Sequence, residues 1–453
     1  MATFLGKIVL GMCALGMATG IVSAQQTANL PEKEQWFMDL GFGMFIHWSF
    51  DSQVGAVISH SMAGASQDYL QRFVEELPQT FNPKKFEPDD WAVLAKLAGM
   101  EYVVFTAKHH SGFCMWDTKT TGFGVMNTPF KRDILKETLE AFRKQGIAIG
   151  IYFSPEDFHY FYKHGIPIGR LQHDLHYPAN NKGLMDYGKA QLKELLTQYG
   201  KVDILFFDGP AEGLKEYAWQ LQPQVVVTRG HIQTPEQTLP GKPLPGPWEA
   251  CFTMGTDWQY KPTNDPHKTG TQIINMLIET RAKGGNLLMN VGPKPDGEIQ
   301  IEQEALLREI ALWNLVNTEA IHAIRPWETV KEGEVWFTRS KVEPATVYAF
   351  VQGGTKWPYG SRKEFILKTL EGNAQTKVSI LGYGSELIEY RKDADAAVYT
   401  YPTPLGLVIS AVNGHRLYTN NQWPNPVVLK IENVRYKPED AIIEQKSMID
   451  GAK

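Results

Sequence analysis

Cysteine is scarce: three in 453 residues, too few for a disulfide scaffold. Positive charge is in no surplus. Lys and Arg number 45 against 50 Asp and Glu, a formal net charge of −5, which argues against a general nucleic-acid binder. Beyond the first two dozen residues no apolar run reaches the roughly 20 residues that cross a bilayer. Hydrophobic residues make up 43% and charged residues 21%, an ordinary globular balance that excludes wholesale disorder, a collagen-like rod and a coiled coil; internal repeats and low-complexity tracts are absent. No G-x-G-x-x-G follows the first strand-like run, and neither H-E-x-x-H nor C-x-x-C occurs. The sequence therefore offers no dinucleotide fingerprint and no metal-ligand spacing, and the expectation is an enzyme or binder without metal or cofactor. Aromatic residues are plentiful: 12 Trp, 18 Tyr and 22 Phe, 11% of the chain. Rings suit the C–H faces of sugars, and they equally suit well-filled cores.

The first segment carries one charge, Lys7, then an apolar run from Ile8, and ends in the small-residue pattern Val22-Ser23-Ala24. This reads as a secretory signal peptide over 1–24, with an uncleaved anchor as the alternative. The expectation is an exported protein, periplasmic or secreted, with no membrane association after cleavage. Only Cys114 and Cys251 would remain, and an oxidising compartment permits a bridge between them.

Short apolar runs at 41–48, 102–106, 147–153, 202–207, 225–228, 250–254 and 286–291 read as strands buried on both faces. Amphipathic stretches lie between several of them. One opens at Glu87-Pro88-Asp89-Asp90, with Trp91, Leu94 and Leu97 on one face and Gly99 as a stop. Asp133 caps a second, ended by Gly146, and two more end at Gly200 and at Gly284-Gly285. This alternation predicts an α/β fold, a (β/α)8-like (TIM-type) barrel over 25–330, with a doubly wound open sheet as the competitor. After a boundary between Trp327 and Gly333, strand-like runs at 335–338, 346–351, 364–368, 377–381, 385–390, 407–409 and 427–431 predict an all-β sandwich over 331–453.

In a barrel, functional side chains gather at the C-terminal strand ends. Those ends read His47-Trp48, Lys108-His109-His110, Tyr152 with Ser154, Asp208-Gly209 and Arg229; Trp248-Glu249 comes just before the sixth strand. Asp208 closes an apolar run and is aimed outward at the strand tip, although Asp also caps turns readily. Glu249 stands beside an indole, where desolvation raises a carboxyl pKa and keeps it protonated as a general acid. Together they offer the pair that glycoside hydrolysis needs. Adjacent histidines are awkward joint metal ligands on a strand, whose successive side chains point to opposite faces. His47, His109 and His110 therefore read as neutral imidazoles bonding to sugar hydroxyls, with a backbone-bonded core role as the plainer reading for any one of them.

The strings Phe45-Ile46-His47-Trp48, Lys108-His109-His110-x-Gly112-Phe113-Cys114-x-Trp116, Phe207-Asp208-Gly209, Thr234-Pro235-Glu236, Trp248-Glu249 and Gly284-Gly285-Asn286-Leu287-Leu288 occur in this order. The set resembles the α-L-fucosidases of glycoside hydrolase family 29. Phe81-Asn82-Pro83 and Gly292-Pro293-x-Pro295-Asp296-Gly297 fit it too. The resemblance implies a barrel followed by a β-sandwich, and a retaining exo-hydrolase of α-L-fucosides that acts on a fucosylated oligosaccharide or glycoconjugate. It implies Asp208 as nucleophile and Glu249 as acid/base. His47, His109, His110, Trp116, Tyr152, Arg229 and Trp248 are the expected substrate-binding residues. Ser111, Phe158, Gln259 and the stretch from Asn317 to His322 depart from the family pattern. These departures leave two alternatives: an exo-glycosidase on a related sugar such as an α-L-galactoside, and a non-catalytic carbohydrate-binding protein on the same scaffold.

Overall fold

The computed structural model describes residues 26–353, 356–415 and 424–438; the leader expected over 1–24 lies outside them. All seven apolar runs of the first part form parallel strands: β1 (Phe42–Ile46), β2 (Tyr102–Lys108), β3 (Ala148–Phe153), β4 (Ile204–Phe207), β5 (Val226–Val227), β6 (Glu249–Thr253) and β7 (Asn286–Val291). Their order in the sheet is β5-β4-β3-β2-β1-β7-β6. A doubly wound sheet reverses its order beside the first strand. This one continues past β1 to β7 without reversal, so it curls. It is a seven-stranded curled sheet, and among the described residues an eight-stranded ring is not formed. Between β5 and β6 the segment 233–236 runs along β6 in isolated parallel bridges, Gln233 to Trp248 and Glu236 to Cys251.

Both faces of every strand are buried, for different reasons. Phe45, Val104, Tyr152, Phe206, Cys251 and Leu288 meet inside the curl. Met44, Ile46, Val103, Phe105, Ile149, Ile151, Leu205 and Phe207 face outward under the helices. Gly43 makes room inside: a Cβ there would come within 2.4 Å of the Tyr102 ring, which lies across the barrel floor. The helical stretches read from the sequence form as expected, and Asp133 caps Ile134–Lys144 by accepting from Lys136 N at 2.9 Å.

The antiparallel part begins earlier than the composition suggested. Ile324–Glu332 is already a strand, paired with Val335–Ser340 in a five-stranded sheet. Sheets of three and two strands accompany it. The run 385–390, expected as a strand, is bends and turns, whereas Tyr399–Thr403 pairs with Gly406–Val412. The helix Ile301–Asn317 joins the two parts: Trp313 Nε1 donates to Pro426 O at 2.8 Å.

Candidate active site

The strand tips build a pocket of about 170 Å³, lined by His47, His109, Tyr152, Asp208 and Arg229 together with Ser59, His60, Arg170, Glu236, Cys251 and Trp258. That is below the several hundred Å³ of a drug-sized site, and it suits a single monosaccharide unit. A larger groove of about 1160 Å³, lined among others by Trp91, Glu298 and Arg308, shares no residue with this pocket.

Asp208 follows β4 directly. Tyr152 OH donates to its Oδ2 at 2.7 Å, and His110 Nε2 lies 3.2 Å from the same oxygen. Arg229 Nη1 donates to Oδ1 at 3.2 Å. Burial alone would raise this carboxyl's pKa. The His110 hydrogen bond, with the positive field of His110 and the charge of Arg229, outweighs it and holds the group well below its ordinary range. An ionised, oriented carboxylate at a pocket base is equipped to attack a carbon centre.

The three histidines divide the remaining work. His47 Nδ1 donates to Asn290 Oδ1 at 2.6 Å, an oxygen whose amide nitrogen is spent on Trp258 O. Nε2 is thereby left as an acceptor towards the pocket. His109 Nδ1 accepts from His110 N at 2.9 Å, which leaves its Nε2–H as a donor. Burial lowers the pKa of both imidazoles, of His47 to about 3, so both are neutral. The alternation argument fails for His109 and His110. Strand β2 ends at Lys108 after a register shift, and the chain then turns through Gly112 (φ +86°), so His109 lines the pocket while His110, fully buried behind it, reaches Asp208 and Ser154 instead of the sugar hydroxyl expected for it. A Cβ at Gly112 would lie 2.2 Å from Asp157 Oδ1. Asp157 is itself fixed by a buried ion pair with Lys108 at 3.1 Å. The ligating atoms of His109, His110 and Asp208 lie within 4.8 Å of one another, but His109 Nδ1 and both ring nitrogens of His110 already have hydrogen-bonding partners.

Three expected site residues stand elsewhere. Trp116 is fully buried outside the pocket and donates to Glu194 Oε2 at 2.9 Å. Trp248 donates to Lys283 O at 3.3 Å and packs against Gly285. Glu249, expected as the acid, opens β6 instead of closing it, so it lies at the N-terminal end of the barrel. It is sealed from solvent and accepts from Tyr102 OH at 2.6 Å. Cys251, the next inward residue of β6, already forms the pocket floor. Two residues of strand rise about 6.6 Å, which places Glu249 a full side-chain layer below. The acid/base expectation for Glu249 is corrected on this ground. The sequence already carried the signal: Glu249 precedes its strand, whereas barrel chemistry sits after strands. Cys114 and Cys251 are both free and buried, and no bridge joins them.

Glu236 stands where the expected acid does not. The 233–236 segment lies beside β6 and brings it level with Cys251. Its Oε2 is 2.8 Å from Arg229 Nη2, while Nη1 of the same guanidinium holds Asp208. One planar fork therefore contacts two carboxylates that both line the pocket.

Burial raises the pKa of Glu249 from 4.5 to about 7. A carboxyl with a raised folded-state pKa stabilises the fold fully below its unfolded pKa, and that contribution is lost as pH rises through the folded value. The shift is worth about 3 kcal/mol between pH 4.5 and pH 8. Glu249→Gln is expected to remove that much of the pH dependence of unfolding and to leave turnover within about threefold of wild type. Part of the slope remains, because burial also raises Asp51 to about 7. Denaturant unfolding at pH 5 and pH 8 reads the difference, and an unaltered slope would contradict the burial argument.

A family model described as Alpha-L-fucosidase matches residues 19–319. Rat plasma alpha-L-fucosidase is 28% identical over 428 residues, covering 83% of this chain and 86% of the relative. Mouse tissue alpha-L-fucosidase is 30% identical over 403 residues, covering 78% and 84%. Among solved structures, alpha-L-fucosidase isoenzyme 1 from Paenibacillus thiaminolyticus superposes with a TM-score of 0.71 at 28% identity, covering 90% of this chain and 99% of that one.

Proposed function

The chain belongs to the α-L-fucosidase family of glycoside hydrolases, and from that premise we propose how its pocket turns over a terminal α-L-fucosyl group. Glu236, partly exposed, takes a proton from solvent as it leaves Arg229 for the glycosidic oxygen; Asp208 then attacks the anomeric carbon while Glu236 gives that proton to the departing oxygen. The bond to the aglycone breaks, and a fucosyl ester on Asp208 forms. Glu236, now ionised, takes a proton from a water that attacks the same carbon. The ester breaks, its electron pair returns to Asp208, and fucose leaves with retained configuration. His47 Nε2 accepts from one hydroxyl and His109 Nε2–H donates to another, so the sugar is oriented by two fixed, neutral dipoles.

The observation that carries this reading is the Arg229 fork between Asp208 and Glu236. Retaining enzymes hold their carboxyls about 5–5.5 Å apart, a span that one guanidinium bridges. A catalytic pair joined in this way favours an enzyme over a binding protein. The small pocket supports exo action on a chain end. Residues 233–236 stand in for the strand missing between β5 and β6 of a TIM-type barrel, and the leader read over 1–24 supports export.

Proton NMR of the first-formed sugar from an aryl α-L-fucoside tests the route. The α anomer should appear before mutarotation, and initial release of the β anomer would overturn double displacement.

A further inference from the structure

A second arginine reaches the nucleophile, from a loop that none of the family-like strings includes. Arg170 Nη2 lies 3.7 Å from Asp208 Oδ1, on the side away from Tyr152 and His110. It is held there by Glu156, a fully buried carboxylate that does not line the pocket. Glu156 Oε2 is 3.5 Å from Arg170 Nε, and Glu156 Oε1 accepts from Leu171 N at 2.9 Å. Leu171 has φ +53°, the left-handed region that a leucine rarely adopts. The grip of Glu156 on its N–H fixes that conformation and aims Arg170 inward. Glu156 Oε2 also lies 3.6 Å from His110 Nδ1, so one buried carboxylate braces groups on both oxygens of Asp208.

The charge on Asp208 is consumed in the first step and restored in the second. A fixed cation beside it stabilises the free carboxylate, which does not assist attack. It stabilises the developing carboxylate when the ester breaks, which does assist release. Because Glu156 holds Arg170 independently of Asp208, the cation stays in place while Asp208 is esterified. Resting on the assignment of Asp208 as nucleophile, we propose that Arg170, positioned by Glu156, serves the deglycosylation step by stabilising Asp208 as the departing carboxylate.

The test uses the full chain, a 2,4-dinitrophenyl α-L-fucoside and stopped-flow detection of the phenol. Arg170→Met should lower kcat by about 10- to 100-fold. KM should fall with it, leaving kcat/KM within a few fold, because the fucosyl ester accumulates. A burst of one phenol per site should appear, and azide should not restore kcat, because its attack requires the same carboxylate to depart. Intact mass should show protein one fucosyl unit heavier, with the adduct on the Asp208 peptide. Glu156→Gln should reproduce this pattern, and Arg170→Lys, which keeps the charge without the fork, should fall between. A fall in kcat/KM with no burst in both Arg170 variants, or full restoration of kcat by azide, would overturn the proposal, and a Glu156→Gln enzyme without the burst would overturn its positioning role. Trapping wild type with a 2-fluoro-fucosyl fluoride separates the two readings: an adduct away from Asp208 removes the nucleophile assignment itself. An adduct on Asp208 with burst-free Arg170 variants removes only the role of Arg170.

Discussion

Asp208→Ala should lose turnover by on the order of 10⁵-fold or more, with the fold intact, since removing a nucleophile eliminates the covalent route and not merely one hydrogen bond. The methyl group leaves a space at the tip of β4 between Tyr152, His110 and Arg229, all of which remain positioned. Azide in that space should attack from the side the carboxylate used. The product from an activated fucoside should then be a fucosyl azide of inverted configuration, detected by NMR. Activity within tenfold of wild type would refute the assignment. Because Asp208 pairs with buried cationic and hydrogen-bonding groups, circular dichroism and the melting temperature should be recorded on the same sample.

Glu236→Gln carries the second large effect, and it depends on the substrate. Glutamine keeps the shape and a contact to Arg229 but has no proton to transfer. Fucosides with poor alkyl leaving groups should lose about 10³- to 10⁴-fold, the scale of general acid catalysis, because the glycosidic oxygen must then depart as an alkoxide. A dinitrophenyl fucoside leaves unaided, so its first step should be nearly unaffected. Its second step, now without a base, should respond to azide with a fucosyl azide of retained configuration. Opposite configurations from the Asp208 and Glu236 variants would assign the two roles independently. Equal losses on both substrate classes would point to another acid. Glu249→Gln is the matched comparison: the same change one layer lower should spare both.

The contrast between these two glutamates shows where the sequence stops being informative. Each stands in a recognisable string, Thr234-Pro235-Glu236 or Trp248-Glu249. Desolvation was correctly read for Glu249, whose pKa burial does raise. That environment is the barrel floor, where a neutral carboxyl bonded to Tyr102 is a core group. A raised pKa marks burial, and burial alone does not separate an active site from a core. Trp116 and Trp248 illustrate the same point, since large rings near motif residues can be filling and not lining.

The seven strands were legible because parallel strands buried on both faces are written as unbroken Val, Ile and Phe runs, a purely local pattern. The helix Ile301–Asn317 carries no clear apolar stripe in the sequence. It is covered on more than one side, with Trp313 under the C-terminal strands while Ile301 and Leu315 remain exposed, so no single stripe stands out. Arg170, Glu156, Ser59 and His60 lie on irregular segments with no period to read.

The sequence alone determined the strand–helix alternation, the change to short antiparallel strands after it and the acid at the tip of the fourth strand, because each is set by a side chain and its near neighbours along the chain, whereas the start of the antiparallel part at Ile324 came from the structure. Only the tertiary structure decided which carboxyl faces Asp208, how two adjacent histidines both turn inward, and that a second guanidinium reaches the nucleophile. Those outcomes depend on how the sheet curls, where β2 breaks register and which layer each strand presents. Such quantities arise from packing residues far apart in the chain, and local periodicity does not encode them.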